Sequence, residues 1–213
     1  MAQKLGEIKK PKVTEFSDVR KLFCLPLIPE LEDKTLDKDL KNHIEQFWKQ
    51  AFSQIEDLEK IGKIKHIFFE SITQNEEQGL ITIKQISPQS YDIIKQKIDK
   101  GAKLEATENK ETLDEYLDWS ICLSVIQRSK KVFNKVLELH KDVNNRRNQE
   151  IAKKIDNTLK KNEPGLLVMT DENRLQIQSN LPNDIQVFLI HPPALNDVTR
   201  WFRDYWKKQN PAC

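Results

Sequence analysis

Lys63-Ile-Lys-His-Ile-Phe-Phe69, closed by Glu70-Ser71, follows directly on the clearest apolar stripe of the chain, and that succession decides the fold. In the stripe, Leu36, Leu40, Ile44, Phe47, Trp48, Ala51, Ile55 and Leu58 recur at three- and four-residue steps, which places them on one helix face. Asp33 or Thr35 stands where a side chain caps the first N–H groups, and Gly62 where a left-handed residue follows the last turn. The apolar run after that glycine is short, and it reads as a strand. Upstream, Lys21-Leu-Phe-Cys-Leu-Pro-Leu-Ile-Pro29 reads the same way, because it is apolar, brief and stopped by proline. Strand, helix, strand is a βαβ unit, and its two strands run parallel.

The pattern continues in both directions. Residues 76–100 carry two helices divided at Ser87-Pro88, where proline takes the first helical position. The first of these also fits a strand through Leu80, Ile81, Ile83 and Ile86, while Gly101 ends the second. Leu104-Glu-Ala-Thr-Glu108 reads as a link before a helix from about Lys110 to Gln127, with Leu113, Tyr116, Leu117, Ile121 and Leu123 on its apolar face. A long helical pattern spans Ser129 to Lys161, interrupted by the polar Asn144-Asn-Arg-Arg-Asn148, which kinks it or faces a cleft. Leu166-Leu-Val-Met169 and Ile185-Gln-Val-Phe-Leu-Ile190 read as strands, and a last helix from about Asn196 to Lys208 buries Val198, Trp201, Phe202 and Tyr205. The expectation is an α/β protein: a partly disordered polar leader over residues 1–18, then one domain over 19–213. That domain holds a small, mostly parallel sheet of about four strands with long amphipathic helices.

Composition narrows the function classes. Thirty-five basic residues nearly cancel thirty-three acidic ones, for a net charge of +2, which argues against a partner held by phosphate neutralisation. Cys24, Cys122 and Cys213 show no metal-ligand spacing and suit a reducing cytoplasm. No run of about eighteen apolar residues occurs, so no membrane partner is expected. The five glycines form no phosphate-cradling loop and no dinucleotide fingerprint, and no G-x-S-x-G elbow is present. No cofactor is indicated, and the histidines carry no metal-site spacing.

In open α/β sheets ligands gather at the carboxyl ends of strands, which supplies the candidates. The predicted ends are Pro29-Glu30, Glu70-Ser71, Thr170-Asp171-Glu172 and His191-Pro192. Glu70, Asp171, Glu172 and His191 form the expected catalytic set, as an acid/base site or an oxygen-ligated metal site, with Ser71, Glu105, Arg146 and Arg147 as ligand-binding residues. The alternative for the acidic residues is that they cap the helices that follow. The two adjacent arginines point about 100° apart on a helix, so they serve different neighbours. One is an anion site or a buried partner of Glu70 or Asp171; the alternative is a solvated face with pairs such as Arg146–Glu150. Trp201/Tyr205 and Phe202/Trp206 are two i,i+4 aromatic pairs on the last helix; the expectation is that both pack on the core, and the alternative is that one packs on the sheet while the other serves self-association.

The segment Arg146-Arg-Asn-Gln-Glu-Ile-Ala-Lys-Lys-Ile-Asp-Asn-Thr-Leu159, followed by Gly165-Leu-Leu-Val-Met169 and Asp184-Ile-Gln-Val-Phe188, resembles the TraB and erythromycin-esterase-like group. There an Arg-started helix, roughly R-N-x-x-I-A-x-x-I, leads into a strand and a short loop carrying a histidine. The resemblance implies that Phe69-Glu70 stands for the acidic strand end of such proteins. The loop here reads Thr170-Asp-Glu-Asn-Arg174, without the glycine or the histidine. The whole chain is also similar to bacterial and archaeal proteins of unknown function. The resulting expectation is a cytoplasmic hydrolase-like enzyme, or a relative of one, with a carboxylate-rich cleft at the strand ends. The alternative is a non-catalytic interaction or ligand-sensing module, with a homodimer as one of its forms.

Overall fold

Alternation along each strand divides the core into two halves. Phe23 and Leu25 of β1 (Arg20–Pro26), Ile67 and Phe69 of β2 (His66–Phe69), and Leu166 and Val168 of β4 (Gly165–Met169) bury into one cluster. Leu22 and Cys24, Phe68, and Leu167 and Met169 bury into the other. Successive side chains leave a strand on opposite faces, so near-continuous apolar runs mean a sheet covered on both sides. The computed structural model describes residues 19–28, 38–126 and 128–209. The polar leader, the Pro29-Glu30 strand end, the Asp33/Thr35 cap and Cys213 lie outside the described residues.

Among the described residues the sheet is parallel throughout and has five strands in the order β3-β2-β4-β1-β5, with β3 at Lys103–Glu105 and β5 at Ile185–Leu189. The fifth strand is β3, three residues that were read as a link. It carries one buried apolar side chain, Leu104, and so gives no alternating pattern to detect. The first βαβ unit is parallel, but β4 lies between its two strands.

Helix placement follows from the order of the strands. α1 (Lys38–Leu58), α2 (Glu76–Ile86), α3 (Pro88–Asp99) and α7 (Ala194–Gln209) pack on the first face. α5 (Lys130–Thr158) and α6 (Asp171–Asn180) pack on the second, and α4 (Lys110–Val125) lies along α5. The chain moves one way across the sheet from β1 to β3 and the other way from β3 to β5. Because crossovers keep one hand, that reversal puts the returning helices on the opposite face.

The α2 segment is a helix, not a strand. It buries Ile83 against the sheet, and the Ser87 N–H closes on the Ile83 carbonyl before Pro88 opens α3. Residues 171–180, for which no element was expected, form α6, whose apolar contribution is Ile177 alone among fully buried apolar side chains. Asn144–Asn148 does not break α5, which runs through it as one helix. Each Phe, Leu or Ile fully buried between these layers contributes ~1.5–3 kcal/mol relative to exposure. Among the described residues, no helix is long and apolar enough to cross a membrane.

Candidate functional site

The exits of β3, β2 and β4, which are neighbours in the sheet, alternate between the two faces. Such a reversal opens a crevice at the carboxyl ends of the strands, and polar side chains fill it here. Glu70 follows β2, Glu108 lies three residues beyond β3, Thr170 follows β4, and α5 crosses above them carrying Asn144, Arg147 and Asn148 on its inner face. Those three positions share a face because they are three and four residues apart, as is the apolar Ile151 beyond them.

Arg147 is the centre of the site and is 2% exposed. Its Nε and Nη2 donate to Glu108 at 2.5 and 2.6 Å, and Nη2 reaches Glu70 at 3.3 Å. Tyr116 on α4 lays its ring 4.7 Å from the guanidinium carbon. Burial alone would lower the Arg147 guanidinium, yet hydrogen bonds and charge from Glu108 and Glu70 hold it well above its ordinary value. Glu70 accepts from the Thr170 N–H at 2.7 Å and from Asn173 Nδ2 at 2.6 Å, and Glu108 accepts from the Ser71 N–H at 2.5 Å. Ser71 is held at φ 66°, a left-handed conformation that an L-residue adopts at some cost. That conformation turns its N–H onto Glu108.

Several buried polar atoms of α5 have no partner among the described residues: Arg147 Nη1, Asn144 Oδ1, Asn148 Oδ1 and Glu150 Oε2. They span two turns of one helix beside the carboxylates. A groove of about 420 Å³ is lined by Thr107, Glu108, Asn109, Glu150, Lys153 and Asn157, so of these four residues Glu150 alone borders it. A larger cavity of about 600 Å³ lies between α2, α3 and β3, over Leu80, Ile81, Tyr91 and Ile98, away from this polar centre. Among the described residues, no group of three or more His, Cys, Asp or Glu side chains is placed to hold a metal ion.

The expected candidates are only partly gathered. Glu70, Ser71 and Arg147 meet at the centre, and Arg147 takes Glu70 as the buried partner that was one of its two readings. Asp171 and Glu172 point outward in the first turn of α6, where they favour the helix dipole, and Asp171 pairs with Arg174 at 2.9 Å. His191 follows β5, three strand spacings or about 14 Å from the end of β2. Its N–H donates to Gln54 of α1 at 3.0 Å, so it does not converge with Glu70. Glu105 lies in β3, pairing with His66 at 2.9 Å and Lys154 at 3.3 Å. Arg146 is exposed and pairs with Glu115 of α4 rather than with Glu150.

Glu108, whose place near a predicted element end made it a cleft residue in the sequence, joins the centre, and Tyr116, Asn148, Thr170 and Asn173 complete it without having been selected. The available signals were the polar Asn-rich interruption of α5 and the position of Glu108 immediately before the Asn109 cap of α4. No family model, no curated protein and no solved structure matches the chain.

Proposed function

We propose that the protein is a hydrolase-like enzyme, or a relative of one, that works at the polar centre above β2, β3 and β4. The observation that carries this reading is the gathering of Glu70 and Glu108, from neighbouring strand ends, on the single guanidinium of Arg147. Buried charges in a crevice, with unpartnered atoms beside them, are the surroundings that acid/base chemistry requires. In this reading Arg147 Nη1 donates to a carbonyl or phosphoryl oxygen of the substrate, and Glu70 accepts a proton from the attacking water. Substrate approaches through the groove beside Glu108 and Glu150. The resemblance to the TraB and erythromycin-esterase-like group supports the same pair, since its arginine falls on Arg147 and its acidic strand end on Glu70. Asn173, in the first turn of α6, stands in the stretch that corresponds to that group's histidine-carrying loop, and it donates to Glu70 instead.

A second reading, a non-catalytic interaction module, is favoured by one observation. Every carboxylate oxygen of Glu70 and Glu108 already holds a hydrogen bond within the protein. Under that reading the centre is a structural staple, and self-association through the aromatic face of α7, with Trp206 54% exposed, is one of its forms.

One set of experiments separates the two. The protein is melted against divalent metals, phosphates, nucleotides and carboxylic acids, and assayed on ester, amide and phosphoester substrates, alongside Glu70→Gln. The catalytic reading expects a ligand at about a hundred times its Kd to add ~2.7 kcal/mol, with the shift and any turnover lost in Glu70→Gln. A flat panel with no turnover, in a protein whose Glu70→Gln variant folds, overturns it and leaves the module reading.

A further inference from the structure

α4 and the first half of α5 form an antiparallel arm that leaves the sheet at Leu113 and returns at Val143. Between those two residues no described residue is buried. The arm is nonetheless built like part of a helical core. Tyr116 and Ser120 face His140 across the seam, with rings 4.8 Å apart and Ser120 Oγ 3.1 Å from His140 Nε2. Leu117, Ile121 and Val125 lie one residue beyond seam positions, about 100° around α4, and so form a continuous apolar stripe beside the seam. They are 46%, 62% and 68% exposed, and Val132 and Phe133 on α5 are 49% and 37% exposed. Scattered apolar side chains on a surface need no explanation, but a stripe along α4, beside an exposed apolar pair in the first turn of α5 and on an arm where no described residue is buried, does.

Charge along the arm identifies what covers that face. From Ile121 to Leu137 the outer part carries Arg128, Lys130, Lys131 and Lys135 and no carboxylate. The inner part of α4, Lys110–Ser120, carries Glu111, Asp114, Glu115 and Asp118 against Lys110 alone. Within one molecule Lys110 pairs with Asp114, Arg146 with Glu115 and Lys135 with Glu138. Glu111 and Asp118 stand ~21 Å and ~10 Å along the axis from the end of α4, each beyond one screening length of ~8 Å, so they are not neutralised by Lys130 and Lys131 of the same arm. We propose that the arm closes on the arm of a second copy of this chain, antiparallel, with each basic tip along the acidic base of the other. Parallel pairing sets like charges against each other and is disfavoured. The antiparallel arrangement is two-fold symmetric and makes a four-helix bundle of the two hairpins, the usual way in which half-buried helices complete a core. A face about 24 Å long and two helices wide gives on the order of 500 Å² per copy in projection. Two such faces approach the ~1,000 Å² that a specific interface needs.

Equilibrium sedimentation of the full chain from low to high micromolar concentration reads the association. The expected result is a dimer that Ile121→Glu together with Val125→Glu weakens at least about tenfold, with the helical signal unchanged. Reversing the tip through Lys130→Glu and Lys131→Glu weakens it as well, and adding Glu111→Lys and Asp118→Lys to that variant restores it. Rescue is specific to tip-to-base pairing. A wild-type monomer throughout, a dimer indifferent to Ile121→Glu/Val125→Glu, or a charge swap without rescue overturns the proposal. A dimer lost in Trp206→Ala but kept in the arm variants overturns it in favour of α7.

Discussion

Glu108 and Arg147 are joined by two hydrogen bonds, 2.5 and 2.6 Å long, between a carboxylate wholly excluded from solvent and a guanidinium 2% exposed. That geometry ties the end of the edge strand β3 to the middle of α5, and Glu70 extends the tie to β2. The centre holds two carboxylates for one cation, so the arginine is what makes both anions tolerable in the interior.

Removing that cation therefore costs more than the pair contributes. Arg147→Ala is expected to lose ~3–5 kcal/mol, because two buried carboxylates are left uncompensated. Replacing all three together, as Arg147→Met with Glu70→Gln and Glu108→Gln, is expected to lose much less. Urea denaturation of both proteins checks this. If the triple variant is as unstable as the single one, the charges are not what the arginine serves.

Packing at the start of β4 supplies a second test. A Cβ on Gly165 would stand 2.8 Å from Leu159 Cδ2, 3.0 Å from Phe68 Cε2 and 3.2 Å from Leu22 Cδ1. Gly165→Ala is expected to cost ~1–3 kcal/mol by overpacking, with the denaturant slope unchanged. A neutral effect would mean that α5 and the sheet separate easily at this point.

The layers were legible because strands buried on both faces and amphipathic helices write their periods into the sequence. Phe23, Ile67, Leu166 and the α1 stripe are examples. β3 was not legible, since three residues carry no period, and α6 was not because its burial rests on Ile177 and Asn173. The site was half legible. The strand-end rule finds Glu70 from its place after an apolar run. Convergence on Arg147 depends on strand order, which brings β3 and β4 to β2 and leaves His191 on the far edge. Nothing in the spacing of Glu108, Asn148 and Asn173 displays that order.

Thiol reactivity separates two of the cysteines. Burial pushes Cys24 up to about 12, while Cys122 on α4 is partly exposed. At pH 8 Cys24 is held as the thiol, and its sulfur faces the core. An alkylating reagent at that pH is expected to label Cys122 in the native protein and Cys24 only after unfolding. Peptide mapping reads this directly, and native labelling of Cys24 would mean that β1 opens.

His140 makes the arm sensitive to acid. Its pKa is lowered by burial against α4, an effect that the charge of Glu172 only partly offsets. Above the unfolded value of about 6.5 the imidazole is neutral in both states and its packing on Tyr116 is retained in full. As pH falls below that value the unfolded chain binds the proton first, so stability is lost until the lower folded pKa has been passed. Melting temperatures between pH 8 and pH 5 should therefore fall further for the wild type than for His140→Gln, with the two curves separating below about 6.5. An NMR titration of the imidazole should give a midpoint below the ordinary histidine value. Parallel melting curves, or a midpoint above it, would mean that the His140–Tyr116 contact does not hold the seam closed.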